Sequence, residues 1–228
     1  MQRIIPGELL PDHTKLRYNE CYAKLILENV FPERYSGLQF SDKPDLRNHS
    51  NTIGIEVTSS IPKNTQETKK LWLQLENETA KNPERNKERM LKLGVKYTGG
   101  TQCWPSIVYP TGHFESSPYT NILEVFKSKV YKLNNGDYSV LERYDLFIET
   151  ELFAENTFMP IILKKAISLN TKELKYSFLY VLFLNRVCVF DLEKSTYEIR
   201  LFTDQYETAI DAKQMVEDGE NDQTGTVN

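Results

Sequence analysis

Apolar positions at helical spacing open the readable part of this chain: Leu16, Ala23, Leu27 and Val30, with Tyr22 and Ile26 beside them, predict a helix over residues 13–30 that Pro32 stops. Shorter extended patterns follow. Residues 38–40 begin a strand, the polar run 45–51 turns the chain, and residues 52–59 alternate as a second strand. Pro62 precedes a long polar helix over roughly 65–93, with a break expected at Pro83 and an end at Gly94. Residues 95–118 carry Gly99-Gly100, Pro105, Pro110, Gly112 and Pro118, which predict a long loop with a short strand at 106–109. Helical spacing returns over 121–133, where Ile122, Val125, Phe126 and Val130 share one side and Asn134-Asn135-Gly136 ends the run. Residues 144–148 read as a strand and 154–169 as a helix. Residues 178–190 and 196–202 read as a β-hairpin with Glu193-Lys194-Ser195 at its tip. A last helix is expected over 205–216.

Helices interleaved with strands, and no internal repeat, predict an α/β fold with a mixed central β-sheet flanked by helices and closed by a C-terminal β-hairpin. A length of 228 residues suits one domain, expected over 1–216, with the acidic residues 217–228 as a disordered tail.

Composition changes this picture little. Hydrophobic residues make up 39% and charged residues 26%, a globular balance, and 13 Tyr with 11 Phe can fill a sizeable core. Pro6 and Pro11 interrupt the N-terminal segment, so no secretory leader is expected there. The longest apolar stretch, 178–184, is far shorter than the ~20 residues of a spanning helix. No membrane partner and a cytoplasmic location are therefore expected. Cys21, Cys103 and Cys188 form no CxxC pair, which excludes a zinc knuckle or dithiol redox motif. His13, His49 and His113 are scattered without partners for triad chemistry. Net charge is −4, but residues 63–96 hold nine Lys/Arg against five Asp/Glu, and residues 142–228 hold nine against sixteen. The basic stretch reads either as a solvated helix laced with ion pairs or as a footprint for phosphates.

Candidate chemistry lies in residues 41–60, SDKPDLRNHSNTIGIEVTSS. Alternation along the second strand puts Ile53, Ile55 and Val57 on one face and Gly54, Glu56 and Thr58 on the other. A mid-strand carboxylate among β-branched residues is costly unless a cation or donors meet it. Asp45, behind Pro44 at the end of the preceding strand, can reach the same spot. Two carboxylates at one point repel, and a hard divalent cation with oxygen ligands resolves the repulsion. A second acidic set, Asp145, Glu149 and Glu151, reads as a polar strand end.

Pro44-Asp45, ten residues, then Glu56-Val57-Thr58 resembles the PD-(D/E)xK motif of the restriction-endonuclease-like superfamily. The resemblance covers residues 13 to about 150. It implies a restriction-endonuclease-like core, Asp45 and Glu56 as ligands of Mg²⁺ or Mn²⁺, and Glu20 as a further site acid on the first helix. It departs from the family where Thr58 stands in the place of the lysine. Lys24, one turn after Glu20, and Lys63, just past the strand, are the candidate substitutes. The function implied is metal-dependent hydrolysis of phosphodiester bonds, in DNA rather than RNA. Enzymes of this fold often dimerise to cut both strands, so a homodimer is one expected form. The alternative is a catalytically inactive protein of the same fold that binds nucleic acid or a protein partner.

Overall fold

The computed structural model describes residues 16–76, 78–93, 119–184 and 186–221. These pack as two compact units, residues 16–60 with 119–221 and residues 61–93, where the sequence suggests one domain over 1–216. The loop expected over 95–118 and its short strand lie outside the described residues.

The larger unit is built on a seven-stranded sheet whose strands lie in chain order. These are β1 (Gln39–Phe40), β2 (Leu46–Arg47), β3 (Ile53–Ser59), β4 (Arg143–Glu149), β5 (Tyr176–Phe183), β6 (Arg186–Asp191) and β7 (Thr196–Leu201). The ladder β3–β4–β5 is parallel and every other pair antiparallel, so the sheet is mixed, as expected. Helices α1 (Tyr18–Val30), α4 (Thr120–Asn135), α5 (Met159–Leu169) and α6 (Gln205–Asn221) complete this unit. The smaller unit contains α2 (Lys63–Glu76) and α3 (Pro83–Lys92).

Parallel register fixes which side chains share a face. Glu56 lies beside Leu146 and Val57 beside Phe147; Leu146 lies beside Leu179 and Phe147 beside Tyr180. Against the Leu146 and Leu179 face pack Ile122, Phe126, Val130 and Leu133 of α4 and Ile162, Leu163 and Ala166 of α5. Each fully buried aromatic or aliphatic side chain there contributes about 1.5–3 kcal/mol. The Phe147 and Tyr180 face meets the end of α1, where the Phe31 and Tyr180 rings sit edge-to-face at 5.1 Å. Helix α1 packs in turn on α6.

Several boundaries differ from expectation for definite reasons. The run 178–190 is two antiparallel strands, with Phe183 opposite Arg186, so the expected hairpin is a three-stranded meander. Apolar residues flank that turn on both sides, which hides it from composition. Asp45 to Asn51 contains the short strand β2, and Asn48 closes the turn after it by accepting from the N–H groups of Thr52 and Ile53 at 2.9 Å each. The break expected at Pro83, by contrast, is present: the polar stretch divides into α2 and α3, and the Asn82 side chain caps α3 ahead of Pro83. Helix α5 begins at Met159 instead of residue 154, with Pro160 in its first turn. Helix α6 continues to Asn221, five residues into the segment read as tail.

Asp145 is the largest departure. It is not a polar strand end, being 0% exposed on the Phe147 face. Tyr35 Oη donates to its Oδ2 at 2.8 Å, Arg143 Nε at 3.0 Å, and the Phe178 N–H donates to Oδ1 at 3.2 Å. Arg143 Nη2 is also 2.9 Å from Oδ2 but off the hydrogen-bond direction. Burial raises the Asp145 carboxyl to about 6, with Arg143, Tyr35 and the Phe178 amide pulling the other way. Asp145→Ala would strand the Arg143 guanidinium and remove the carboxylate to which Tyr35 donates. The expected loss is about 3–5 kcal/mol of unfolding free energy, measured by urea titration at neutral pH. A loss below about 1 kcal/mol, the scale of an exposed ion pair, would mean that the pair is solvated.

Candidate functional site

The β2–β3 hairpin positions the two acids singled out in the sequence. Its register sets Leu46 opposite Ile55 and Arg47 opposite Gly54, and Asp45 stands one residue before β2, where that ladder ends. The Asp45 carboxylate folds back onto β3, where Oδ2 accepts the Val57 N–H at 2.7 Å. Pro44 fits there only because residue 54 is glycine. A β-carbon on Gly54 would lie 2.3 Å from Pro44 Cγ and 2.5 Å from Leu141 Cδ1. The Ser41 hydroxyl donates to the Pro44 carbonyl and closes the loop.

Glu56 is 7% exposed, and its charge is met from α4. Lys129 Nζ lies 2.5 Å from Glu56 Oε1, both side chains being largely buried. The Tyr138 hydroxyl lies within the field of the same carboxylate and is raised by burial first and then by Glu56. The Tyr176 hydroxyl, close by, is raised by burial and by Glu56, and donates to the Lys129 carbonyl at 3.4 Å. Thr58 stands two residues along β3 on the Glu56 face, beside Ile148, and is partly buried.

The electrostatics follow from this crowding. Burial and then the Glu56 charge raise the Asp45 carboxyl to about 6, against the pull of the Val57 N–H and Lys129. Glu20, on the first turn of α1, is raised by burial and then by Asp45, with Arg17 opposing from 3.7 Å. Asp45 and Glu56 are thus near one another on β3, with Glu20 within reach of their fields. Among the described residues, no three His, Cys, Asp or Glu side chains converge closely enough to form a metal-holding group.

The two expected substitute lysines lie on α1 and α2. Lys24 pairs with Glu28 at 2.6 Å, and Lys63 belongs to α2 in the smaller unit. The ammonium that meets Glu56 is that of Lys129, which the sequence pattern did not single out. Its signal is visible in retrospect: Phe126, Val130 and Leu133 are buried on α4, so a lysine at 129 sits on the edge of the buried stripe. The basic stretch of the smaller unit is partly neutralised within itself. Arg89 donates to both oxygens of Glu67 at 2.7 and 3.1 Å, and Lys87 pairs with Glu84 at 2.8 Å.

No family model matches the chain, and neither a curated protein nor a solved structure matches it. Among the described residues, no helix is long and apolar enough to cross a membrane.

Two outcomes test this geometry. Because the folded Asp45 carboxyl titrates near 6 and its ordinary value is 3.8, the folded state holds more protons than the unfolded state between those values. Stability from this group is therefore fully present below about pH 4 and falls as pH rises through about 6. Asp45→Asn keeps an acceptor for the Val57 N–H and removes the titration. The variant should be about 1–3 kcal/mol more stable than the native chain at pH 7, with the gain vanishing near pH 4, read from urea titrations across pH in the presence of a chelator. A gain independent of pH would show that Asp45 is not strained by charge. Separately, Lys129→Met should cost about 3–5 kcal/mol by leaving Glu56 buried alone, and adding Glu56→Met should recover much of it. Simple additivity of the two losses would refute the pair.

Proposed function

We propose that the chain is a metal-dependent nuclease of the PD-(D/E)xK type, hydrolysing phosphodiester bonds in DNA rather than RNA. The observation that carries this reading is the Asp45 carboxylate held on β3 by the Val57 N–H, next to the buried Glu56, with Lys129 against Glu56. Burial and then the Glu56 charge raise Asp45 to about 6, an environment that a hard cation would relieve. Asp45 and Glu56 would hold Mg²⁺ or Mn²⁺. When bound, the ion would activate a water and neutralise charge developing on a scissile phosphate. Thr58 offers a hydroxyl on the same face. Lys129 holds the Glu56 carboxylate in place and supplies the fixed positive charge that the family draws from the position of Thr58. Glu20 shapes the field at the site from α1. The excess of base over acid in residues 63–96 supports nucleic acid as the partner, and the chain would act in the cytoplasm.

One observation favours the second reading, a catalytically inactive protein of this fold that binds nucleic acid or a protein. Lys129 already compensates Glu56 at 2.5 Å, which would serve equally to stabilise a retired site. A single experiment separates the two. The full chain is incubated with supercoiled plasmid, linear duplex, single-stranded DNA and RNA, with and without Mn²⁺ or Mg²⁺. The nuclease reading expects metal-dependent cleavage of DNA that Asp45→Ala and Glu56→Gln abolish and Thr58→Lys tolerates. Lys129→Gln should lower the cleavage rate by about 10²–10³, the scale of one lost electrostatic contact in a transition state. Retained binding without cleavage selects the inactive reading. Cleavage by a well-folded Glu56→Gln variant would place the chemistry elsewhere.

A further inference from the structure

Strand β7 ends the sheet, pairing with β6 on one side and, among the described residues, with no strand on the other. Alternate backbone N–H and C=O groups of such a strand point outward and form a template for a further strand. Proteins commonly blunt an edge with proline, lysine, a bulge or shortness. The six residues of β7, TYEIRL, contain neither proline nor lysine and pair regularly with β6 from Thr196 to Leu201. Two large apolar side chains on this strand are open, Leu201 at 69% and Tyr197 at 39%.

Alternation sorts the strand into two faces. Tyr197, Ile199 and Leu201 lie on the face of α4 and α5. There Ile199 packs at the margin of the core, and Tyr197 lines a shallow groove with Pro160, Leu163 and Ile167. Glu198 and Arg200 lie on the opposite face and pair with each other at 2.7 Å, and Arg200 also reaches Glu33 at 2.7 Å.

We propose that β7 is the edge through which two copies of this chain associate, strand against antiparallel strand, about a two-fold axis at Ile199. The register follows from charge. With Ile199 facing its own counterpart, Glu198 faces Arg200 of the second copy, Arg200 faces the second copy's Glu198, and Tyr197 and Leu201 face one another on the other side. Opposite charges meet on one face and exposed apolar side chains on the other. The adjacent symmetric registers lack this. Sliding one way sets Glu198 against its own copy, and sliding the other way sets Arg200 against its own copy, each a like-charge contact directly opposite. The pairing extends the seven-stranded sheet across the axis and covers Tyr197 at the mouth of its groove. It is an isologous contact, closed at two copies, in which one patch serves both partners.

The test uses the full chain at micromolar concentrations with Cys103→Ser in every sample, Cys21 and Cys188 being buried. Sedimentation equilibrium should return twice the 26.6 kDa chain mass. Glu198→Arg, which sets like charges opposite, should raise the dissociation constant at least tenfold while circular dichroism stays native. Register is read by disulfide trapping at exposed positions. Mild oxidation should cross-link a mixture of Tyr197→Cys and Leu201→Cys chains to each other, and neither variant alone. A mass of 26.6 kDa at every concentration would overturn the proposal. So would undiminished association of Glu198→Arg, failure of the mixture to cross-link, or cross-linking of either variant by itself.

Discussion

The contact on which the rest of the site depends is the hydrogen bond from the Val57 N–H to Asp45 Oδ2, 2.7 Å long, because it draws a carboxylate onto the strand that already carries Glu56. Two acids are thereby held near one another on β3, where burial and the Glu56 charge both raise Asp45. The arrangement persists only where positive charge and donors are brought in, and the chain brings them from distant segments. Lys129 comes from α4 to meet Glu56, and the Tyr176 hydroxyl, from the start of β5, donates to the Lys129 carbonyl. Gly54 completes the arrangement by leaving room for Pro44, so the residue that carries no side chain decides where its neighbour's carboxylate can lie.

The same problem is solved differently across the sheet. Asp145 is buried on the opposite face, yet its charge is met by a base two residues away on its own strand and by two tyrosines that share hydrogen bonds. That network is closed. Arg143 and Arg34 both lie over the Phe178 ring, and both Asp145 oxygens accept hydrogen bonds from within the fold. Around Glu56 and Asp45 the compensation is thinner, with one lysine on Glu56 and one backbone N–H on Asp45. Unequal compensation is what marks one acidic pair as a candidate for chemistry and the other as structure.

Much of the fold was legible because its periodicities are strong. The buried stripe of α4 and the alternation of β3 identify those elements and their inward faces. The short strand β2 was not legible, since two residues carry no period, and the division of 178–190 into β5 and β6 was hidden by apolar residues on both sides of the turn. Asp45 and Glu56 could be singled out because a mid-strand acid and a Pro-Asp turn are local patterns. Lys129 could not, because it lies 73 residues from Glu56 and only the β3–α4–β4 packing brings them together. Asp145 was misjudged for a related reason: its partners Tyr35 and Tyr180 come from other segments, and an acid alone in a sequence looks solvent-facing.

The central claim is that Asp45 and Glu56 form one cation site whose charge Lys129 only partly balances. Calorimetric titration of the full chain with Mn²⁺ tests it most directly, with Asp45→Ala and Lys129→Gln measured alongside. The account predicts saturable binding by the native chain, its loss in Asp45→Ala, and tighter binding in Lys129→Gln, where the competing ammonium is gone. Binding that is absent from the native chain, or unchanged by Asp45→Ala in a folded variant, would contradict it.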